Sequence, residues 1–88
     1  MSCYYIIGIR LRHRAANAAR LQEALTAHGG NIRMRVGMHE TGDGYCADDG
    51  VIMLQVCGDR ETVEQMLADF NAVEGVTAKL IDLNEIDS

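Results

Sequence analysis

Residues 3–12, CYYIIGIRLR, run directly into residues 14–28, RAANAARLQEALTAH, and the apolar period changes between them. In the first stretch Tyr5, Ile7, Ile9 and Leu11 alternate with Tyr4, Ile6, Gly8, Arg10 and Arg12. Period two and β-branched or aromatic content predict a strand with one dry face and one half-wet face. In the second stretch Ala18, Leu21 and Leu25 recur at helical spacing in an alanine-rich segment. That predicts a helix, stopped by Gly29-Gly30.

The same switch occurs once more downstream. Residues 31–39, NIRMRVGMH, alternate, and the reading places Ile32, Met34, Val36 and Met38 on the inner face, with Arg33, Arg35, Gly37 and His39 opposite. Residues 40–50, ETGDGYCADDG, read as a loop, and its glycines and acids make 40–49 the expected mobile segment. Residues 51–57, VIMLQVC, form a continuous apolar run, as an inner strand requires. Asp59 is placed to cap a second helix over 60–72, with Val63, Met66, Leu67 and Phe70 as its core stripe. Glu74-Gly75 turns the chain into a last strand over 75–83.

The order βαββαβ in 88 residues predicts one domain, 1–88, of the α+β class. Its form is ferredoxin-like: a four-stranded antiparallel sheet with both helices on one face. The strands are expected near 3–12, 31–39, 50–58 and 75–83, and the helices near 14–28 and 60–72. The other sheet face then carries no helix. On this reading it displays Tyr4, Ile6, Gly8, Arg10, Arg33, Arg35, Val51, Met53, Gln55, Thr77, Lys79 and Ile81, too apolar a set to be left in water yet too charged for a core. A homodimer or homotetramer is therefore expected, with Arg33, Arg35 and Met53 at the interface.

Charge divides the chain unevenly. Net charge is −5, yet residues 1–39 hold six arginines against Glu23, while residues 40–88 hold twelve acids against Arg60 and Lys79. An acidic half repels phosphate, so direct nucleic-acid binding is not expected. Basic and acidic halves are instead expected to pair, within a chain or between two. No uncharged run is long enough for a membrane span, and no signal peptide is read, so the expected location is cytoplasmic. Three cysteines, Cys3, Cys46 and Cys57, with no CxxC spacing, weigh against a disulfide framework. Cys57 reads as a small core or sheet residue and Cys46 as an exposed loop thiol.

Two candidate sites follow from residue chemistry. Arg10, Arg12, His13 and Arg14 cluster where the first strand meets a helix N-terminus, a pattern suited to a carboxylate or phosphate effector. His39 and Cys46 flank the loop and offer imidazole and thiolate to a transition metal. They fall short of a complete shell unless an oligomer interface adds ligands. The 42–44 GDG lacks the order of a calcium loop, and no catalytic motif occurs. The sequence leaves the identity of any cofactor open.

The stretch Ile32-Arg33-Met34-Arg35-Val36-Gly37, the apolar third strand and Glu74-Gly75-Val76 resemble the small ACT-like iron-only hydrogenase system regulator group. The resemblance spans Tyr5 to about Leu83 and implies an ACT-like fold, dimerisation and a regulatory role. At 12–15 the chain lacks the acidic-x-Pro-Gly turn of amino-acid-binding ACT domains. After Gly37 it has Met38-His39 where the group has an aromatic-proline pair. His39 and Cys46 stand where the metal-sensing domain of nickel-responsive repressors, a more distant likeness, has ligands; Gly37 replaces that domain's second histidine. The expectation is a non-enzymatic regulatory module sensing a small anionic effector or mediating protein interaction. A metal-sensing domain is the alternative, followed by a small ferredoxin-like enzyme using Tyr4, Tyr5 or His39.

Overall fold

The computed structural model describes residues 2–12, 14–38 and 50–85, with the backbone alone at 14–16 and 38. The elements are β1 (Ser2–Leu11), α1 (Arg14–Ala27), a 3-10 turn (Gly29–Asn31), β2 (Ile32–Met38), β3 (Gly50–Gly58), α2 (Arg60–Asn71) and β4 (Val76–Asp82). The sheet order is β2-β3-β1-β4, and every neighbouring pair is antiparallel. This is the ferredoxin-like α+β arrangement that the alternation of periods predicts.

The core lies between the helices and one sheet face. Tyr5, Ile7, Ile9 and Leu11 of β1 meet Leu54 and Val56 of β3 and Val76 and Ala78 of β4. Leu21 and Leu25 of α1 and Val63, Met66 and Phe70 of α2 close over them. Phe70, Met66 and Val63 are fully buried, which makes α2 the principal lid of the sheet. Asp59 caps α2 by accepting from the Thr62 amide at 2.8 Å, satisfying one of the helix's free N–H groups. Asn71 exchanges two hydrogen bonds with the backbone of Ala78, tying the end of α2 to β4.

Gly29-Gly30 stops α1 as expected: the helix ends at Ala27, His28 leaves it, and the glycines enter the 3-10 turn. Among the described residues the left-handed glycine is Gly75, with φ 82°. Two expectations need correction.

The first concerns β2. Ile32 pairs with Val56 on the core side, but Met34 then pairs with Gln55 and Val36 with Met53. One extra residue, Arg33, is inserted, and a one-residue slip moves every later side chain to the other face. Met34 and Val36 therefore lie on the open face, where arginines were expected. Arg35 lies on the helix side and donates from Nη1 to Gln22 Oε1 of α1 at 3.2 Å. It is withdrawn from the interface set.

The second concerns sulfur. Cys3 and Cys57 are joined by a disulfide across β1 and β3, with Cα atoms 4.0 Å apart. Cysteine count and spacing weighed against this, but they carry no information on sheet neighbours. Antiparallel pairing of β1 with β3 brings residues 54 positions apart together.

Candidate functional site

The corrected register composes a more apolar open face than the alternation alone suggests. Across β2, β3, β1 and β4, one row reads Val36, Met53, Gly8 and Lys79; the next reads Met34, Gln55, Ile6 and Ile81. Val51, Arg10 and Thr77 form a row at one end. At the other end lie Arg33, Cys57 and Tyr4, with Leu83 donating its amide to the Tyr4 carbonyl at 2.8 Å. Among the described residues the exposed large apolar ones, Tyr4, Met34, Val36, Val51, Met53, Ile81 and Leu83, all belong to this face and are 41–65% exposed. No described strand residue on it is acidic.

The cations sit at the margins: Arg10 in an end row, Arg33 in the edge-strand bulge and Lys79 on the edge strand β4. Arg10 is engaged rather than free. An apolar centre with a charged rim is the layout of a protein interface. Gly8 occupies the middle of β1, and a Cβ built on it meets nothing within 4 Å. A glycine in a strand weakens that strand, and nothing among the described residues requires one here. Close approach by something outside the chain would account for it.

The basic cluster is only partly within the described residues. Arg12 donates its amide to the Gly75 carbonyl at 2.8 Å, and its own carbonyl accepts from Asn17 Nδ2 at 3.1 Å. The first bond joins the turn after β1 to the turn before β4, and the second ties that turn to α1. A Cβ on Gly75 would lie 2.8 Å from the Arg12 carbonyl oxygen, so glycine is required there by space as well as by φ. The structure thus brings Arg10, Arg12 and the start of α1 to one end of the sheet. His13 lies outside the described residues, as do the expected mobile segment 40–49 and the metal candidates His39 and Cys46; the side chain of Arg14 does too. Among the described residues no group of three or more His, Cys, Asp or Glu could hold a metal ion. Nor is any helix there long and apolar enough to cross a membrane.

The helix side carries a polar bridge. His28 Nε2 lies 2.7 Å from Asp69 Oδ2, and its ring stands edge-on to Phe70 at 5.7 Å. This pair links the end of α1 to α2 beside an open groove lined by Arg20, Glu23, Ala27 and Glu74. The His28 hydrogen bond, with a second from Gln65, holds the Asp69 carboxyl below its ordinary 3.8. Nothing in the local sequence marks this pair, because its members lie 41 positions apart.

No family model matches the chain, and no curated protein sequence matches it. A solved structure does. An uncharacterized protein from Thermotoga maritima shares the fold, with a TM-score of 0.77 at 22% identity, over 91% of this chain and 95% of that one. At that identity the likeness speaks for the fold.

Proposed function

We propose that this chain is a non-enzymatic regulatory module that works as a homo-oligomer, its open sheet face covered by a second copy. One observation carries the reading: the exposed large apolar side chains of the described residues gather on that single face. Contiguous apolar patches of this kind mark association surfaces. A two-fold pairing would set Met53, Ile6 and Gly8 against their equivalents and leave Arg10, Arg33 and Lys79 at the wet rim. The resemblance of residues 32–37 to the hydrogenase-system regulator group supports the regulatory role.

The effector in this reading is a small anion. It would bind at the sheet end where Arg10, Arg12 and the first turn of α1 converge, a turn that contains no acidic residue. Sedimentation equilibrium of the wild type and of Met53→Asp tests the association. The wild type should show mass above 9.7 kDa that rises with concentration, and the variant should stay near 9.7 kDa with its fold intact. A wild type that remains at 9.7 kDa at high micromolar concentration refutes the reading. Isothermal titration with inorganic phosphate against wild type and Arg12→Gln tests the anion, which should bind the wild type more tightly.

A further inference from the structure

We propose that Cys3 and Cys57 form a thiol–disulfide exchange site for small thiols, with Cys57 the sulfur attacked and Cys3 the sulfur that leaves. Its coupling to association rests on the sheet-face pairing proposed above; its chemistry does not.

The backbone around the pair is built independently of the sulfur bond. The β1–β3 register shifts between Ser2 and Tyr5, and the β2–β3 register shifts between Ile32 and Met34, so two bulges flank the same spot. Side-chain amides satisfy carbonyls at the bulges. Gln55 Nε2 donates to the Cys3 carbonyl at 3.0 Å, and Asn31 Nδ2 donates to the Cys57 carbonyl at 2.9 Å. The Gln55 bond ties β1 to β3 beside the pair, and the Asn31 bond anchors Cys57 to the turn before β2, neither through sulfur. The reduced pair is therefore positioned to close again. Both cysteines are half-buried rather than sealed, which leaves room for an incoming thiol.

Arg33 supplies the asymmetry. Its Nη1 lies 3.5 Å from Cys3 Sγ. A neighbouring guanidinium favours a thiolate over a thiol, and a sulfur with a lower pKa leaves faster. A small thiolate, RS⁻, attacks Cys57 Sγ, forming RS–S–Cys57 and expelling Cys3 as a thiolate beside Arg33. A second RS⁻ attacks the R-bearing sulfur, giving RSSR and the Cys57 thiolate. Two thiols are oxidised and the protein disulfide is reduced; the reverse sequence restores it.

Cys57 shares the open face with Gln55, Met53 and Val51. A second copy covering that face shields its sulfur, and an adduct on the sulfur obstructs the second copy. By linkage the two effects are equal in free energy.

Glutathione serves as the probe, in a Cys46→Ser background so that the third thiol does not count. The protein is equilibrated in glutathione buffers from mostly oxidised to mostly reduced, quenched with acid, alkylated and weighed intact. The bond should open and re-form reversibly across the series. Cys3→Ser should accumulate a single glutathione adduct, on Cys57. Arg33→Gln, at an exposed position, should keep the wild-type urea midpoint yet open roughly 3- to 10-fold more slowly. A bond that millimolar glutathione leaves closed, or an Arg33→Gln variant that opens at the wild-type rate, overturns the exchange site. Opening should slow as protein concentration rises through the association range. If the adduct forms as described while the wild type is monomeric throughout, the sheet-face reading fails and the exchange site stands.

Discussion

Replacing Gly8 with valine should stabilise the isolated chain and weaken its association, two effects of opposite sign from one change. Gly8 faces Met53 on one side and Lys79 on the other, at the centre of the open face. A Cβ there meets nothing within 4 Å among the described residues, so the first carbon of a valine side chain enters without a clash. Glycine within a strand costs about 0.5–1 kcal/mol in backbone entropy relative to alanine, so the monomer should gain roughly that much. A β-branched residue suits a central strand and should not reduce the gain. Across a closely packed interface the same carbons have no space. Overpacking costs about 1–3 kcal/mol, which corresponds to a Kd raised roughly 5- to 150-fold. Urea unfolding below the association range measures the first effect, free of the stabilisation that binding itself confers. Sedimentation equilibrium measures the second. Tighter association of Gly8→Val would refute the reasoning, since added apolar surface helps only where no partner comes close. A destabilised monomer would show that the space around Gly8 has been misjudged.

Other expected outcomes follow from the core and its ties. Phe70→Ala, at a fully buried position, should cost about 3–5 kcal/mol in urea unfolding. Gly75→Ala should cost upwards of about 1–2 kcal/mol, because φ is 82° and the new Cβ would meet the Arg12 carbonyl; a neutral result by the same method would contradict the turn geometry. Asp59, Asp69 and Asp82 are each held below the ordinary 3.8, chiefly by hydrogen bonds from Thr62, from His28 and from the Asn84 backbone respectively. Lowered carboxyl values stabilise the fold above the unfolded value, and that contribution disappears as pH falls through the native ones. Unfolding midpoints should therefore drop below about pH 4, and Asp69→Asn should show a smaller drop.

The elements were legible in sequence because period two in β1 from Tyr5 onward and in β4, period 3.6 in α1 and α2, and the continuous apolar run of β3 each mark one element type. The face assignment of β2 was not. NIRMRVGMH supports either parity, and its apolar residues were given to the core because burial usually decides. As the edge strand next to β3, β2 contributes Ile32 to the core margin, and the bulge at Arg33 turns Met34 and Val36 outward. A single inserted residue leaves no trace in an alternating pattern. The disulfide escaped for a related reason: its signal lies in the β1–β3 pairing, not in spacing along the chain. Of the candidate sites, the open face and Met53 were visible from the lack of a third layer. Arg35 was misplaced by the same slip. Gly8 was seen as a face residue, but its meaning depended on the empty space above its Cα.

Methionine oxidation footprinting tests the central claim, that a second copy covers the open sheet face. Met34 and Met53 are about half exposed and lie on that face, whereas Met66 is fully buried in the core and serves as the internal reference. Dilute and concentrated protein would be pulsed with the same oxidant, and each methionine read by peptide mass spectrometry. The account predicts that Met34 and Met53 become protected together as concentration rises, in step with the increase in mass, while Met66 stays protected throughout. Association that leaves Met34 and Met53 as reactive as in the dilute protein would contradict it.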